Sequence, residues 1–207
     1  MKTLTYVYGT MTSGKTTQLL SEAHNLRLHG KRIYLLTASI DSRSGAGMIR
    51  SRIGISSEAE TYVAGEDLFA KILVEHLADP IERVMVDEAQ WLSRDQVWQL
   101  SDIVDELGIG VTCYGLRSDF RGDLFEGSAA LMSLADEMRE NTGVCATGEK
   151  ATMVARMDGA GNATTEGPQV LVGGEETYAA MSRKAWKAAI ARGKERRETR
   201  APVLRLV

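Results

Sequence analysis

Gly9-Thr10-Met11-Thr12-Ser13-Gly14-Lys15-Thr16 fits the phosphate-loop pattern G-x-x-x-x-G-K-[ST] at every required position. Its flanks agree with it. Residues 3–8 form a β-prone run and residues 17–28 carry helical spacing, which is the strand–loop–helix context such a loop needs and an ordinary Gly/Ser/Thr surface loop does not. The glycines let successive backbone N–H groups converge on phosphates, Lys15 can reach the outer phosphates, and the Thr16 hydroxyl can hold a magnesium ion. A nucleoside triphosphate is the first ligand this stretch implies.

Further β-prone runs at 32–37, 83–86 and 111–114 alternate with helical segments, so the sequence implies an α/β fold with a parallel sheet covered by helices. The clearest helix is expected at 94–107, where Val97, Leu100, Val104 and Leu107 share a face, Ser93 and Gln96 form a capping box, and Gly108 ends the run. Another is expected from about Ser128, carrying Leu131, Leu134, Ala135 and Met138 inward and ending near 141–143. The texture then changes. Short β-prone pieces at 151–157 and 169–172, separated by the Gly-rich stretch 158–162, read as a small hairpin module, followed by a helix at 178–191. This divides the chain into a nucleotide-binding domain at 1–142, a small module at 143–192 and a basic tail at 193–207, expected to be a solvated terminus.

The 207 residues are 43% hydrophobic and 26% charged, ordinary for a globular domain with a sizeable core. A net charge of −3 argues against a protein that grips long nucleic acid by its phosphates. No apolar run approaches the roughly 18 residues of a membrane span, and the first strand occupies the place of a signal peptide, so a cytoplasmic protein is expected. Two cysteines, Cys113 and Cys145, cannot make a disulfide framework, and Cys113 lies in an apolar run where a buried, inert thiol is expected. His24, His29 and His76 lie in or beside helices and read as surface residues.

The second chemical signal is Val84-Met85-Val86-Asp87-Glu88-Ala89-Gln90, an apolar strand ending in two carboxylates. Asp87 stands at the strand's C-terminal edge, where open α/β sheets bind ligands, and suits the magnesium side of a nucleotide. Glu88, one residue on, points the other way. It could accept a proton from an attacking hydroxyl, or position water as the acid of an ATPase.

At this point the residues resemble the type II thymidine kinase family. The segments are the phosphate loop, Ile40-Asp41-Ser42-Arg43-Ser44-Gly45-Ala46-Gly47, Ser51-Arg52-Ile53-Gly54, the Asp87-Glu88-Ala89-Gln90 strand end, Tyr114-Gly115-Leu116-Arg117-Ser118-Asp119-Phe120-Arg121-Gly122, and Val172-Gly173-Gly174-Glu175-Glu176-Thr177-Tyr178. They keep the family's order and spacing over roughly residues 1–190. The resemblance implies transfer of the γ-phosphoryl group of ATP to the 5′-hydroxyl of thymidine or deoxyuridine, with magnesium held by Thr16 and Asp87. It implies Glu88 as general base and Lys15 with Arg43 as charge neutralisers. The nucleotide would lie on residues 9–16 and on Asp87, Glu88, Ala89 and Gln90. Met11, Trp91, Leu116, Phe120 and Phe125 would line the base pocket, with Trp91 where the family usually has phenylalanine. A lasso at Val170, Leu171, Val172 and Gly173 would read the base edge through its backbone, with Tyr178 nearby. A homotetramer, feedback inhibition by dTTP, and no nucleic-acid or membrane partner are also implied.

The family's structural zinc is where this sequence departs. The positions of its two ligand pairs read Cys145-Ala146-Thr147 and Ser182-Arg183-Lys184-Ala185, leaving one thiol where four N or S ligands are required, so no structural zinc is expected. Two other functions compete with the kinase reading. Asp-Glu-Ala-Gln after a phosphate loop resembles helicase strand ends, so a nucleic-acid-stimulated ATPase is one, although the chain is short for paired motor domains. A non-catalytic nucleotide-binding regulatory module is the other, suggested by the lost zinc ligands and opposed by the retention of Lys15, Thr16, Arg43, Asp87 and Glu88.

Overall fold

The computed structural model of the chain describes residues 2–40, 47–158, 161–169 and 178–200. Its centre is a six-stranded sheet built from β1 (Leu4–Gly9), β2 (Ile33–Ala38), β5 (Glu60–Tyr62), β6 (Arg83–Asp87), β7 (Gly110–Leu116) and β8 (Glu137–Glu140). Their order across the sheet is β5-β2-β6-β7-β1-β8, and every pairing in it is parallel. The central strands are nearly continuous apolar runs because both faces are covered. On one face Tyr6, Leu36, Val86 and Cys113 pack with Leu68 and Ile72 of α2 (Leu68–Ala78), Val97, Leu100 and Ile103 of α3 (Arg94–Leu107), and Leu131 of α4 (Glu126–Leu134). On the other, Val7, Leu35, Met85 and Tyr114 pack with Leu19, Leu20 and Ala23 of α1 (Lys15–Leu28). Burial pushes the Cys113 thiol well above its ordinary range, as expected of an inert cysteine.

The expected helix at 94–107 is α3, with both bonds of the Ser93–Gln96 capping box formed and Gly108 in the left-handed region at its end. An antiparallel pair, β3 (Met48–Arg50) and β4 (Ser56–Glu58), had no counterpart in the sequence reading.

The small module follows β8. Strands β9 (Gly143–Val144) and β10 (Lys150–Ala151) pair antiparallel, and β11 (Met153–Met157) lies between β12 (Ala163–Thr164) and β13 (Tyr178–Met181), under α5 (Arg183–Arg200). Several expectations need correction. The helix from Ser128 ends at Leu134, and residues 137–140 instead extend the sheet beside β1. Met138 is 56% exposed there rather than inward, because the open edge of β1 and the bond from Leu4 N–H to the Asp136 carboxylate draw the chain into a strand. Tyr178–Met181 is a strand rather than the start of a helix, since it finds a partner in β11; the helix begins only after Ser182, whose hydroxyl accepts from Ala185 N–H. That helix runs past Ala191 to Arg200: Gly193 is buried against the Ala163 carbonyl, where no side chain would fit, while Lys194, Glu195 and Arg196 are exposed. His76 is half-buried and its Nδ1 accepts from Ile81 N–H at 3.0 Å, so it is a loop anchor rather than a plain surface residue. In the stretch 169–172, Gln169 is in no strand and 170–172 lie outside the described residues.

Candidate active site

The loop between β1 and α1 bends sharply. Thr12 and Gly14 both take positive φ, 63° and 87°, and Gly9 fits so closely against the Asn141 carbonyl and the Ser13 hydroxyl that a side chain would collide. Within this turn the hydroxyls of Thr10 and Ser13 are buried and have no partner in the protein. Such groups are costly unless something polar meets them, and phosphate oxygens are acceptors of the right kind. Lys15 Nζ donates to the Thr10 carbonyl at 2.8 Å, which holds the ammonium over the loop. Burial lowers the Lys15 pKa, and the charges of Glu88 and Asp87 oppose that shift.

Asp87 ends β6 beside this loop. The Thr16 hydroxyl donates to its carboxylate, 3.1 Å to Oδ2. Burial, with the charge of Glu88 added, pushes the Asp87 carboxyl up to about 7. A buried carboxylate and the threonine hydroxyl bonded to it are oxygen donors suited to a hard divalent cation, which would restore Asp87 to its charged form. Among the described residues no group of three or more His, Cys, Asp or Glu converges, so a magnesium ion here would complete its shell from phosphates and water.

Glu88 takes a left-handed conformation, φ 53° and ψ 37°, and opens a 3-10 turn at Ala89–Trp91. A residue with a Cβ enters that region only when its surroundings impose it. Here Tyr62 Oη donates to the Glu88 carbonyl at 3.0 Å, and the Gln90 amide donates to the Glu88 carboxylate. Gln90, placed by the sequence reading with the nucleotide, is 2% exposed, and its Oε1 accepts from Leu116 N–H at 3.0 Å. Ala89 is wholly buried.

Trp91 and Phe125 meet edge to face with centroids 5.2 Å apart, a geometry favoured by ring quadrupoles. Leu116 and Met11 are half-buried. Phe120 is 1% exposed, and the Arg156 guanidinium lies 3.7 Å from its ring centroid. Tyr178 is half-buried on β13, opposite Arg156 in the strand register. Arg43, Val170, Leu171, Val172 and Gly173 lie outside the described residues.

Sequence reasoning missed Arg156. It is 3% exposed, stacks on Phe120, and donates to the Pro168 carbonyl at 2.6 Å and to that of Glu166. With Arg121 donating to the Gly167 carbonyl and Gln169 to the Asp119 carboxylate, it ties residues 166–169 to the segment that bears Phe120. A lone arginine in a β-prone run carries no signal of this; only the ring beneath it does.

In the small module, Cys145 Sγ and Thr147 Oγ1 are 3.0 Å apart, Thr147 donates to Glu149 Oε2, and Ser182 donates to the same oxygen at 2.6 Å. One thiol, two hydroxyls and a carboxylate already accepting from both hydroxyls do not make a four-coordinate zinc site.

Fold and loop together define a P-loop nucleotide-binding protein with an acidic strand end at the C-terminal edge of a parallel sheet. The sequence matches a family model described as Thymidine kinase over residues 2–186. It is 54% identical over 190 residues to a thymidine kinase of Jannaschia sp. (strain CCS1), covering 92% of this chain and 97% of the relative. It is 48% identical over 197 residues to a thymidine kinase of Xanthomonas campestris pv. campestris (strain 8004), covering 95% and 94%, and 47% identical over 186 residues to one of Agrobacterium fabrum, covering 90% and 96%. The chain belongs to the thymidine kinase family. No helix among the described residues is long and apolar enough to cross a membrane.

Proposed function

We propose that this protein transfers the γ-phosphoryl group of ATP to the 5′-hydroxyl of thymidine or deoxyuridine, giving the nucleoside monophosphate and ADP. The observation that carries this reading is the meeting of Lys15, Thr16 and Asp87 at the phosphate loop with Glu88 on the adjoining residue. A magnesium ion held by Thr16 and Asp87 would neutralise charge on the phosphates. The 5′-oxygen forms its bond to the γ-phosphorus as the bond to the β,γ-bridging oxygen breaks, and the hydroxyl proton passes to the Glu88 carboxylate. Lys15 offsets charge on the oxygens of the transferring group, with Arg43 as the second cation the family supplies. Trp91, Phe125, Leu116 and Met11 offer apolar and aromatic surface to a flat pyrimidine.

The division near residue 142, the homotetramer, feedback inhibition by dTTP, a cytoplasmic setting and a small module without zinc belong to the same reading. Incubation with ATP, magnesium and a panel of nucleosides tests it: thymidine or deoxyuridine should become a monophosphate. ATP hydrolysis stimulated by single-stranded DNA would instead favour a motor ATPase, and nucleotide binding without any phosphorylated nucleoside would favour a regulatory module. Within the kinase reading, Glu88→Gln keeps the side chain's shape and removes its basicity, so kcat should fall by about 10²–10⁴-fold with ATP binding nearly intact. Retention of more than half the turnover would exclude Glu88 as the base.

A further inference from the structure

Glu88 does not hold its conformation alone. Its carboxylate accepts from the Gln90 side-chain amide, whose oxygen accepts in turn from Leu116 N–H on β7. The amide is therefore spanned between the carboxylate and the sheet, at 2% exposure, with its orientation fixed by both ends. Backbone packing fixes the turn as well. A Cβ on Gly115 would come within 3.0 Å of both Gln90 N and Gln90 Oε1, and one on Gly127 would lie 2.6 Å from the Ala89 carbonyl and 2.7 Å from that of Leu92. The turn after β6 is thus seated between two glycines, one on the sheet and one on α4, and Tyr62 fastens the Glu88 carbonyl from β5.

We propose that Gln90 is a positioning residue for the phosphoryl-transfer step, acting only by aiming the Glu88 carboxylate at the nucleoside hydroxyl. This rests on Glu88 being the general base. A carboxylate on a left-handed residue has rotamers open to it that face away from the substrate, and a buried amide anchored to a strand selects one. Misplacement of a catalytic group by about 1 Å can cost on the order of 10²-fold in rate.

The test compares Gln90→Met, which keeps length and removes both hydrogen bonds, with Glu88→Gln and the double variant. Gln90→Met should lower kcat by about 10–100-fold while the KM values for ATP and thymidine stay within about twofold. In the Glu88→Gln background the same substitution should cost nothing further, because there is no carboxylate left to aim. Full additivity in the double variant would mean that Gln90 acts through general structure, and wild-type kcat in Gln90→Met would mean that it does not act at all; either overturns the proposal. If Glu88→Gln itself keeps more than half its turnover, the base assignment fails and this proposal with it, whereas a collapse of Glu88→Gln beside an unaffected Gln90→Met sinks only the role of Gln90. Should Gln90→Met not fold, Gly115→Ala crowds the same amide from the sheet side and should show the same loss in kcat at constant KM; unchanged kcat in that variant, with its fold intact, would also overturn the proposal.

Discussion

The phosphate loop and the small module both gather polar side chains, but they satisfy them in opposite ways. At the loop, Thr10 and Ser13 hydroxyls are buried without partners in the protein, burial lowers the Lys15 pKa, and Asp87 is pushed towards its neutral form. In the module, Ser182 and Thr147 both donate to Glu149, Cys145 lies against Thr147, and Arg156 spends its guanidinium on two carbonyls and a ring. A set of groups left in electrostatic debt is suited to receiving a charged ligand, whereas one that closes on itself is suited to holding a fold. The contrast identifies where ligand binding should change stability and where it should not.

The contrast breaks most sharply at Lys15. Lys15→Ala should lower kcat/KM by at least about 10²-fold, with ATP affinity falling alongside kcat, because the ammonium faces both the bound phosphates and the transition state. Titration calorimetry with ATP checks this, and unchanged affinity would remove Lys15 from the nucleotide site. In the module, Arg156→Met should act on folding instead. Loss of the charge-assisted bonds from a buried guanidinium to the Pro168 and Glu166 carbonyls, and of the stack on Phe120, should cost about 2–4 kcal/mol of stability, read by urea denaturation.

Acid and base should separate the two regions by sign. Asp87 holds its proton more tightly in the folded chain, up to about 7, than an unfolded carboxyl near 4 does, so its contribution to stability is whole below about pH 4 and is lost as pH rises towards 7. Glu149 is shifted the other way, held below the usual carboxylate range by the Ser182 and Thr147 hydroxyls, so its contribution is present at neutral pH and lost as pH falls through that range. Asp87→Asn should therefore match wild type near pH 4 and exceed it in thermal midpoint near pH 7.5 without nucleotide. Glu149→Gln should lose its difference from wild type only in acid. Parallel curves for wild type and Asp87→Asn would show that Asp87 carries no perturbed proton.

The same division governs what could be read from sequence. The phosphate loop, the four central strands and α3 were legible because each is specified locally, by a motif, by continuous apolar runs, or by Ser93, Gln96 and Gly108 at the helix ends. Strand β8 was not, since Glu137-Met138-Arg139-Glu140 is exposed on both faces and its strand character comes from the edge of β1. Nor was β13: Tyr178-Ala179-Ala180-Met181 favours a helix by propensity, and pairing with β11 overrides it. At the site, the identities of Lys15, Thr16, Asp87 and Glu88 were visible in the motifs. The left-handed backbone of Glu88 and the amide that aims it depend on Gly115 and Gly127, distant in sequence, and so were not.

The smallest effect concerns metal, and it tests whether the module's polar cluster is closed. A four-coordinate structural zinc needs thiolates or imidazoles, since hydroxyls bind it poorly while protonated, and the cluster offers Cys145 alone as a soft ligand. Ser182 serves twice, donating to Glu149 and accepting from Ala185 N–H at the start of α5. If these bonds replace a metal, purified protein should hold well under one zinc per chain by elemental analysis, and EDTA should leave its thermal midpoint unchanged when magnesium is absent throughout. Ser182→Ala should then lower stability by about 1 kcal/mol, the scale of a lost helix cap, with or without chelator. Stoichiometric zinc, or a chelator effect as large as the roughly 10 kcal/mol that a structural zinc can contribute to a small module, would mean that Cys145 shares a metal with ligands from another chain and that the cluster is open after all.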